Sequence, residues 1–553
     1  MSENQLTIIA LISPAAFLIA AIASWFQPGL RPQKVITISK IATIISLIIV
    51  TISCISAFKF SLLESNLIGI NNFGFSIRLD SLTVIMLTMI SLLAFIIIKF
   101  SINYLDGDQK QGAFLGRLSA TIASVQLLVL AGNLGLLLFC WILTSISLHR
   151  LLLFYPERRG AQIAAKKKFI LARLGDVCLL VAICLLYTHY GSGNLEFIFK
   201  AIKNGSASGN SLIVPGIAAL FLALTAILKS AQFPTHGWLI EVMETPTPVS
   251  ALLHAGLLNA GPFLIIRMAY VMEASTVAPV LLMVLGGFTA LFASVVYLTQ
   301  TCVKTALGYS SVGHMGFSLL LCGLGLYPAA LLHVVAHSFY KAHAFLSSGS
   351  AIDVLRGAKV VRQPKSLSPL KIILGFAMAI ALYSFFAALW GIDPKKEFPL
   401  LVIGFVIFMG LARLFTSSLA NQLNSKLITQ TALLALLVTI AFFSLESGTH
   451  FLLSSQIPVS VMIGMGRIIA SVIILLTFSA AVFVQIIAPQ LSQKPFYKTV
   501  VIHVRNGFYA NALFDKLLNA LAINSNENTN RIKSTVFENH KTTELKEQKE
   551  QLV

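Results

Sequence analysis

Apolar residues run in blocks of about 20 along most of the chain, each long enough to cross a bilayer as a helix. The first lies over Leu6–Phe26, the second over Ile36–Phe58, and the third, opened by Asp80, over Ser81–Phe100. Two closely spaced blocks follow at Leu118–Ala131 and Asn133–Phe154, then a sixth at Phe169–Tyr187. After a Gly/Ser/Asn loop (Asn204–Asn210), the next block breaks at Pro234 and resumes after Pro248. Further blocks lie near Val277–Leu298, Ala306–Leu326, Pro328–Ile352, Ile372–Trp390, Leu400–Leu419, Thr429–Phe443 and Ile468–Ile487. The pattern predicts an all-α polytopic membrane protein of about 14 to 15 spanning helices. Val500–Leu521 reads as an amphipathic interfacial segment, with Phe508, Tyr509, Leu513 and Phe514 on one side. Beyond Asn524 the chain is a polar tail without apolar periodicity.

Composition agrees with this pattern. Hydrophobic residues make up 57% of the chain and charged residues 11%, which excludes a soluble enzyme with a large core. A net charge of +19 would suit a nucleic-acid binder. The basic residues fall in short loops between apolar blocks, however, and membrane topology explains that placement without a nucleic-acid partner. Loops bearing Arg31/Lys34, Lys110/Arg117, Arg158–Lys168, Lys304 and Arg356–Lys371 share one side if roughly 15 spans are counted. The positive-inside rule makes that side cytoplasmic, with the N-terminus outside and the C-terminus inside. Cys54, Cys140, Cys178, Cys184, Cys302 and Cys322 are scattered without a CxxC and read as small hydrophobes. The first block lacks a basic leader and is expected to remain as a helix.

The candidate chemistry centres on Leu228–Arg267, which holds Lys229, Glu241, Glu244 and His254 around the proline break. Ionisable groups at membrane depth cost several kcal/mol unless paired or hydrated. A break in a spanning helix frees carbonyls that only protein or a watery cavity can satisfy. Together these features point to a proton or cation pathway. A lysine in a low-dielectric helix interior can be loaded or unloaded by a moving neighbouring charge, and Lys229 is the foremost candidate. His333, His337 and Lys341 repeat every four residues on one helix face. That pattern suits proton relay, structural hydrogen bonding or a metal, although HVVAH lacks the glutamate of the HExxH zinc motif. His254 suits a relay or a helix–helix hydrogen bond. Glu241 and Glu244 are pathway acids or solvated loop acids. Lys304 and the Arg173/Asp176 pair, spaced i, i+3, are coupling groups or interfacial anchors. His149, His314 and His343 take no role at this level. No phosphate loop, nucleophile elbow or metal-ligand spacing is present, so neither a catalytic residue nor a cofactor is expected in this chain.

Lys229–Arg267, KTALGYSSVGHMGF (Lys304–Phe317), HVVAHSFYKAHAFLSSGS (His333–Ser350) and ARLGDVCLL (Ala172–Leu180) resemble the antiporter-like membrane subunits of respiratory complex I and Mrp-type cation/proton antiporters. The resemblance covers about residues 75 to 355 and implies a bundle with two inverted repeats, each containing a broken helix. It implies that Lys229 is the central proton-carrying lysine, that His333 and His337 continue a polar axis, and that Lys304 and His254 match family polar positions. On that basis the chain divides into N-terminal helices (1–112), a first repeat (113–275), a second (276–420), C-terminal helices (421–490) and an interfacial segment with a tail (491–553).

One departure is informative. Ile142 follows Trp141 where complex I and Mrp subunits carry the glutamate that partners the lysine, which leaves Glu241 or Glu244 to substitute. The chain is also expected to be too short for the long lateral helix of some complex I subunits. NLGLLLFCWILTSISLHRLLLFY (Asn133–Tyr155) and the YLDGDQKQGAF loop resemble a narrower group, the DabB-type membrane subunits of two-component inorganic-carbon accumulation complexes. That resemblance implies a bacterial inner-membrane location. It also implies a DabA-like soluble zinc partner on the cytoplasmic face, with zinc in that partner, and coupling of a proton or sodium gradient to hydration of carbon dioxide to bicarbonate. The alternatives are a complex I-like or Mrp-like subunit and, in another class, a membrane scaffold.

Overall fold

A computed structural model describes residues 3–207, 212–242, 245–348, 369–391, 398–420, 425–458, 464–491 and 494–521. The chain is almost wholly helical. Helices α1 (Glu3–Ile9), α2 (Ile12–Phe26) and α3 (Gln33–Phe60) lead to four three-residue strands: β1 (Leu62–Glu64), β2 (Ile68–Ile70), β3 (Phe73–Phe75) and β4 (Arg78–Asp80). They pair as two antiparallel ladders, β1 with β4 and β2 with β3. The apolar-block pattern gave no sign of these strands, which are too short for an alternation to register.

Next come α4 (Ser81–Tyr104), α5 (Gln111–Val129), α6 (Leu134–Leu152), α7 (Arg159–Tyr190) and α8 (Leu195–Ala207). The starts of α4 and α6 are fixed by side chains that take up orphan amide protons. The Asp80 carboxylate accepts from Thr83 N–H at 2.8 Å. The Asn133 side-chain oxygen accepts from Gly135 N–H at 3.0 Å and, across the chain, from Gly74 N–H at 3.2 Å. Gly191, with φ of 65°, ends α7 in the left-handed conformation.

The broken block follows as α9 (Ile213–Lys229), α10 (Gly237–Glu241), α11 (Thr247–Ala255) and α12 (Ala260–Arg267). The break falls where the prolines place it: helix stops at Lys229 and resumes at Gly237. Short α13 (Ala269–Glu273) leads to α14 (Val277–Tyr297), α15 (Val303–Gly323) and α16 (Tyr327–Leu346). The remaining helices are α17 (Pro369–Leu389), α18 (Phe398–Ala420), α19 (Ser425–Leu453), α20 (Met465–Leu491), α21 (Pro495–Arg505) and α22 (Ala510–Leu521).

Among the described residues, 12 helices are long and apolar enough to cross a membrane. Helix α9 is a shorter apolar helix, and α15 and α16, which carry the polar residues of the candidate site, are not among the 12. Helices α14 and α15 meet backbone to backbone. A β-carbon on Gly286 would lie 2.6 Å from the Gly316 carbonyl oxygen, and one on Gly316 equally close to that of Gly286. Small residues permit this approach, which replaces the hydrophobic drive that lipid does not supply.

One expectation is overturned at α7. Lys166–Lys168 do not lie in a loop, because the helix already begins at Arg159. Lys167 and Lys168 are buried. They stay helical because each finds a partner on a neighbouring element: Lys167 pairs with Glu241 and Asp515, and the Lys168 ammonium donates to the Ser145 carbonyl at 2.8 Å.

The two ends of the bundle differ. On one, Asn4 accepts from Asn66 N–H, and Arg78 pairs with Glu64 and Glu196. On the other, Arg505 donates to Thr301 and Asn511 of α22 bonds Glu241. The described beginning and end of the chain therefore lie on opposite faces. Helix α22 caps the end to which α10 points.

Candidate functional site

Lys229 is the last residue of α9, so its ammonium leaves the helix toward α6 just where the backbone breaks. It lies 4.4 Å from the centroid of the Trp141 ring and donates to Ser145 Oγ at 2.5 Å, the Trp141 carbonyl at 3.3 Å and Thr144 Oγ1 at 3.5 Å. Trp141, Thr144 and Ser145 are spaced i, i+3, i+4 and share one face of α6. Ile142, in the position of the family glutamate, lies between them in sequence and off that face. A π-face, two hydroxyls and a carbonyl therefore receive the lysine where a carboxylate was expected.

Among the described residues, the acid whose charge bears on Lys229 is Asp176 of α7. Asp176 forms an ion pair with Arg173 at 2.6 Å. Thr225 Oγ1 of α9 donates to the Gly175 carbonyl at 3.3 Å and holds α9 against this stretch of α7. Lys168 lies two helical turns before Asp176 and bonds Ser145 from the other side. Lys168, Arg173 and Lys229 thus share one carboxylate. That imbalance makes the charge state of the group sensitive to any shift of α6, α7 or α9.

Of the two acids expected to substitute for the missing glutamate, Glu241 has other partners in the described structure. Glu241 pairs with Lys167 and accepts from the Asn511 amide at 3.0 Å, so it serves the α22 contact. Glu244 lies outside the described residues. Lys304 is half-buried in the first turn of α15, and no described contact joins it to Lys229.

The histidines form a second group. His254, fully buried on α11, stacks on Phe345 with ring centroids 4.3 Å apart. His333 and His337 lie on one face of α16 as their spacing requires, and His314 of α15 completes the group. His314 Nδ1 and His333 Nε2 are 3.2 Å apart. Lys341, one turn beyond His337 and fully buried, donates to the Leu307 carbonyl at 3.1 Å. Asn259 ties α16 to the end of α11, donating to Ser338 Oγ at 2.7 Å and the Ala255 carbonyl at 2.8 Å. Sequence spacing could not find His314, because its partners lie on the next helix. A histidine inside an otherwise apolar and glycine-rich helix was the only signal.

A small cavity separates the two groups. Thr144, a Lys229 partner, lines it on one side, with Gly256, Leu257 and Ala260, which follow His254, on the other. It has room for roughly one water. Apart from Thr144 the side chains that line it are apolar.

At the end of the bundle away from α22, Asp80 is fully buried between two arginines. Arg78 Nε is 2.7 Å and Arg267 Nη1 2.5 Å from its Oδ2. Burial opposes its ionised form, but Arg267 and Arg78 outweigh that and hold the carboxyl well below the usual range.

Known proteins are similar to this chain in sequence and in fold. The family model described as the NADH:quinone oxidoreductase/Mrp antiporter transmembrane region matches residues 131–394. That for the N-terminus of complex I chain 5 matches residues 67–115. The chain is 39% identical over 356 residues to the "Probable inorganic carbon transporter subunit DabB2" of Halothiobacillus neapolitanus, an alignment covering 64% of this chain and 63% of that protein. It is 42% identical over 278 residues to the "Probable inorganic carbon transporter subunit DabB" of Hydrogenovibrio crunogenus, covering 50% and 53%. The chain thus spans less than two thirds of either relative's length. The Mrp complex of a Dietzia species shares the fold, with a TM-score of 0.61 and 19% identity over 94% of this chain and 59% of that one.

Proposed function

Residues 67–115 and 131–394 place the chain among the antiporter-like membrane proteins of the complex I and Mrp type, and from that premise we propose an energy-coupling subunit for inorganic-carbon accumulation. Protons, or sodium ions, move by way of Lys229 and the His254, His333, His337 and Lys341 line. Their descent of the gradient drives a DabA-like soluble zinc partner that hydrates carbon dioxide to bicarbonate. This chain supplies the cation path, and the partner supplies the zinc and the hydration chemistry.

The observation that carries the reading is the lysine cage. Trp141, Thr144 and Ser145 hold Lys229 in an apolar core where Asp176, shared among three cations, is the acid in reach. Such a group changes charge when α9 or α6 moves, which is what a gated proton step requires. Each charge moved supplies about 2.3 kcal/mol per 100 mV. Carbon accumulation is favoured over a respiratory role by the names of the relatives and by Ile142 in place of the family glutamate.

We place the partner on the face capped by α22, where Arg117, Arg150 and Lys304 also lie, and assign that face to the cytoplasm of a bacterial inner membrane. The beginning of the chain then faces outward.

The test is Lys229→Ala in the native host. Uncoupler-sensitive bicarbonate accumulation should be lost while the partner still co-purifies with the tagged chain. Undiminished accumulation would overturn the reading. Co-purification of flavin and iron–sulfur proteins would replace it with a respiratory one.

A further inference from the structure

We propose that His314, His333 and His337 bind a divalent transition-metal ion of the zinc type, and that the bound ion closes the cation path. One imidazole nitrogen from each of the three residues lies within 4.8 Å of those of the other two. Two ligand nitrogens on a tetrahedral zinc, each bonded at 2.0–2.1 Å, are about 3.3 Å apart. His314 Nδ1 and His333 Nε2 are 3.2 Å apart already. The third nitrogen, on His337, lies within 4.8 Å of both.

His337 carries the second, independent observation. Its ring is 3% exposed, and among the described residues neither nitrogen has a hydrogen-bond partner. A buried imidazole in this state forgoes two hydrogen bonds, and a metal would recover one of them as a coordinate bond. Metal-bound histidines ordinarily hold the other nitrogen with a polar group.

The donor set decides the class of ion. Three imidazoles without a carboxylate suit zinc or its first-row neighbours, whereas magnesium and calcium need oxygen donors. Three neutral ligands leave the double charge uncompensated, and Lys341 lies one turn further along the same face. The fourth position therefore takes a small anion such as hydroxide or chloride.

The consequence follows from lone pairs. A nitrogen bonded to metal cannot accept a proton, so an occupied triad interrupts any relay through His333 and His337. Binding does not depend on that relay, and the two claims fail separately.

The experiment is a zinc titration of the purified full chain in detergent, read by competition with a chromogenic chelator. Wild type should take up one Zn2+ per chain at this site, and excess Mg2+ should not displace it. His314→Gln and, separately, His337→Gln should weaken uptake at least tenfold, since each removes one of three ligands. Each variant should elute from size exclusion as wild type does. The Co2+-loaded wild-type protein should show the intense visible bands of a four-coordinate site, and the His314→Gln protein should not. Zinc uptake unchanged in both variants, or cobalt bands absent from wild type, would refute the site. Zinc binding as expected, together with undiminished carbon accumulation in Lys229→Ala, would sink only the transport reading.

Discussion

Asn511 of α22 fills the space that a side chain on Gly237 of α10 would occupy: a β-carbon on Gly237 would lie 1.7 Å from Asn511 Oδ1. The C-terminal helix is thus fitted directly to the broken helix that carries Glu241. Lys167 joins the pair by bonding both Glu241 and Asp515.

Gly237→Ala should therefore push α22 off its seat while leaving the spans in place. Hydrogen exchange over residues 510–521 should quicken, with exchange in α4 and α5 unchanged. Adding Asn511→Ala, which vacates the space, should restore protection in part. Equal exchange in Gly237→Ala and wild type would show that this contact does not hold the helix.

Asp176→Asn tests which acid serves Lys229. It should cost gradient-driven transport as heavily as the loss of the lysine itself. Glu241→Gln should instead loosen α22. The two are separated by transport assays in vesicles alongside hydrogen exchange. Full transport by the Asp176→Asn protein would remove this carboxylate from the pathway.

Arg267→Ala should destabilise the bundle by about 3–5 kcal/mol, because it leaves Asp80 buried with half its counter-charge. The same carboxylate sets a pH dependence. Its folded-state titration lies below the unfolded value of about 3.9, so its contribution is present above roughly pH 4 and is lost as the pH falls further. Thermal unfolding in detergent should show a falling midpoint at acid pH in wild type and a flatter profile in Asp80→Asn.

Gly316→Ala places a methyl group 2.6 Å from the Gly286 carbonyl oxygen, with Ala290 N at 2.7 Å, so both neighbours are backbone and cannot turn aside. The cost should be about 1–3 kcal/mol, seen as a lower unfolding midpoint. An unshifted midpoint would show that α14 and α15 separate freely.

Much of this architecture is legible in the sequence, because membrane spans advertise themselves by length and apolarity alone. The break after Lys229 was readable for the same reason, since proline acts locally. The register of His333, His337 and Lys341 follows from helical spacing. What hydropathy misreads is a charge that stays inside. Lys167 and Lys168 look like loop residues until Glu241, Asp515 and the Ser145 carbonyl are brought to them by other helices. The identity of the acid near Lys229 is likewise a tertiary fact: Glu241 is closer along the chain, but Asp176 is the one whose charge reaches the ammonium. His314 joins the histidine group only across a helix pair.

The Asp80 clamp also bears on how the molecule is made. Arg78 is two residues from Asp80, but Arg267 is 187 residues further along the chain. Until Arg267 has been made, Arg78 is the one arginine of the clamp available to the carboxylate, beside the Thr83 N–H. One carboxylate thus ties the start of α4 to the end of α12, and the clamp is whole only when both segments have been made.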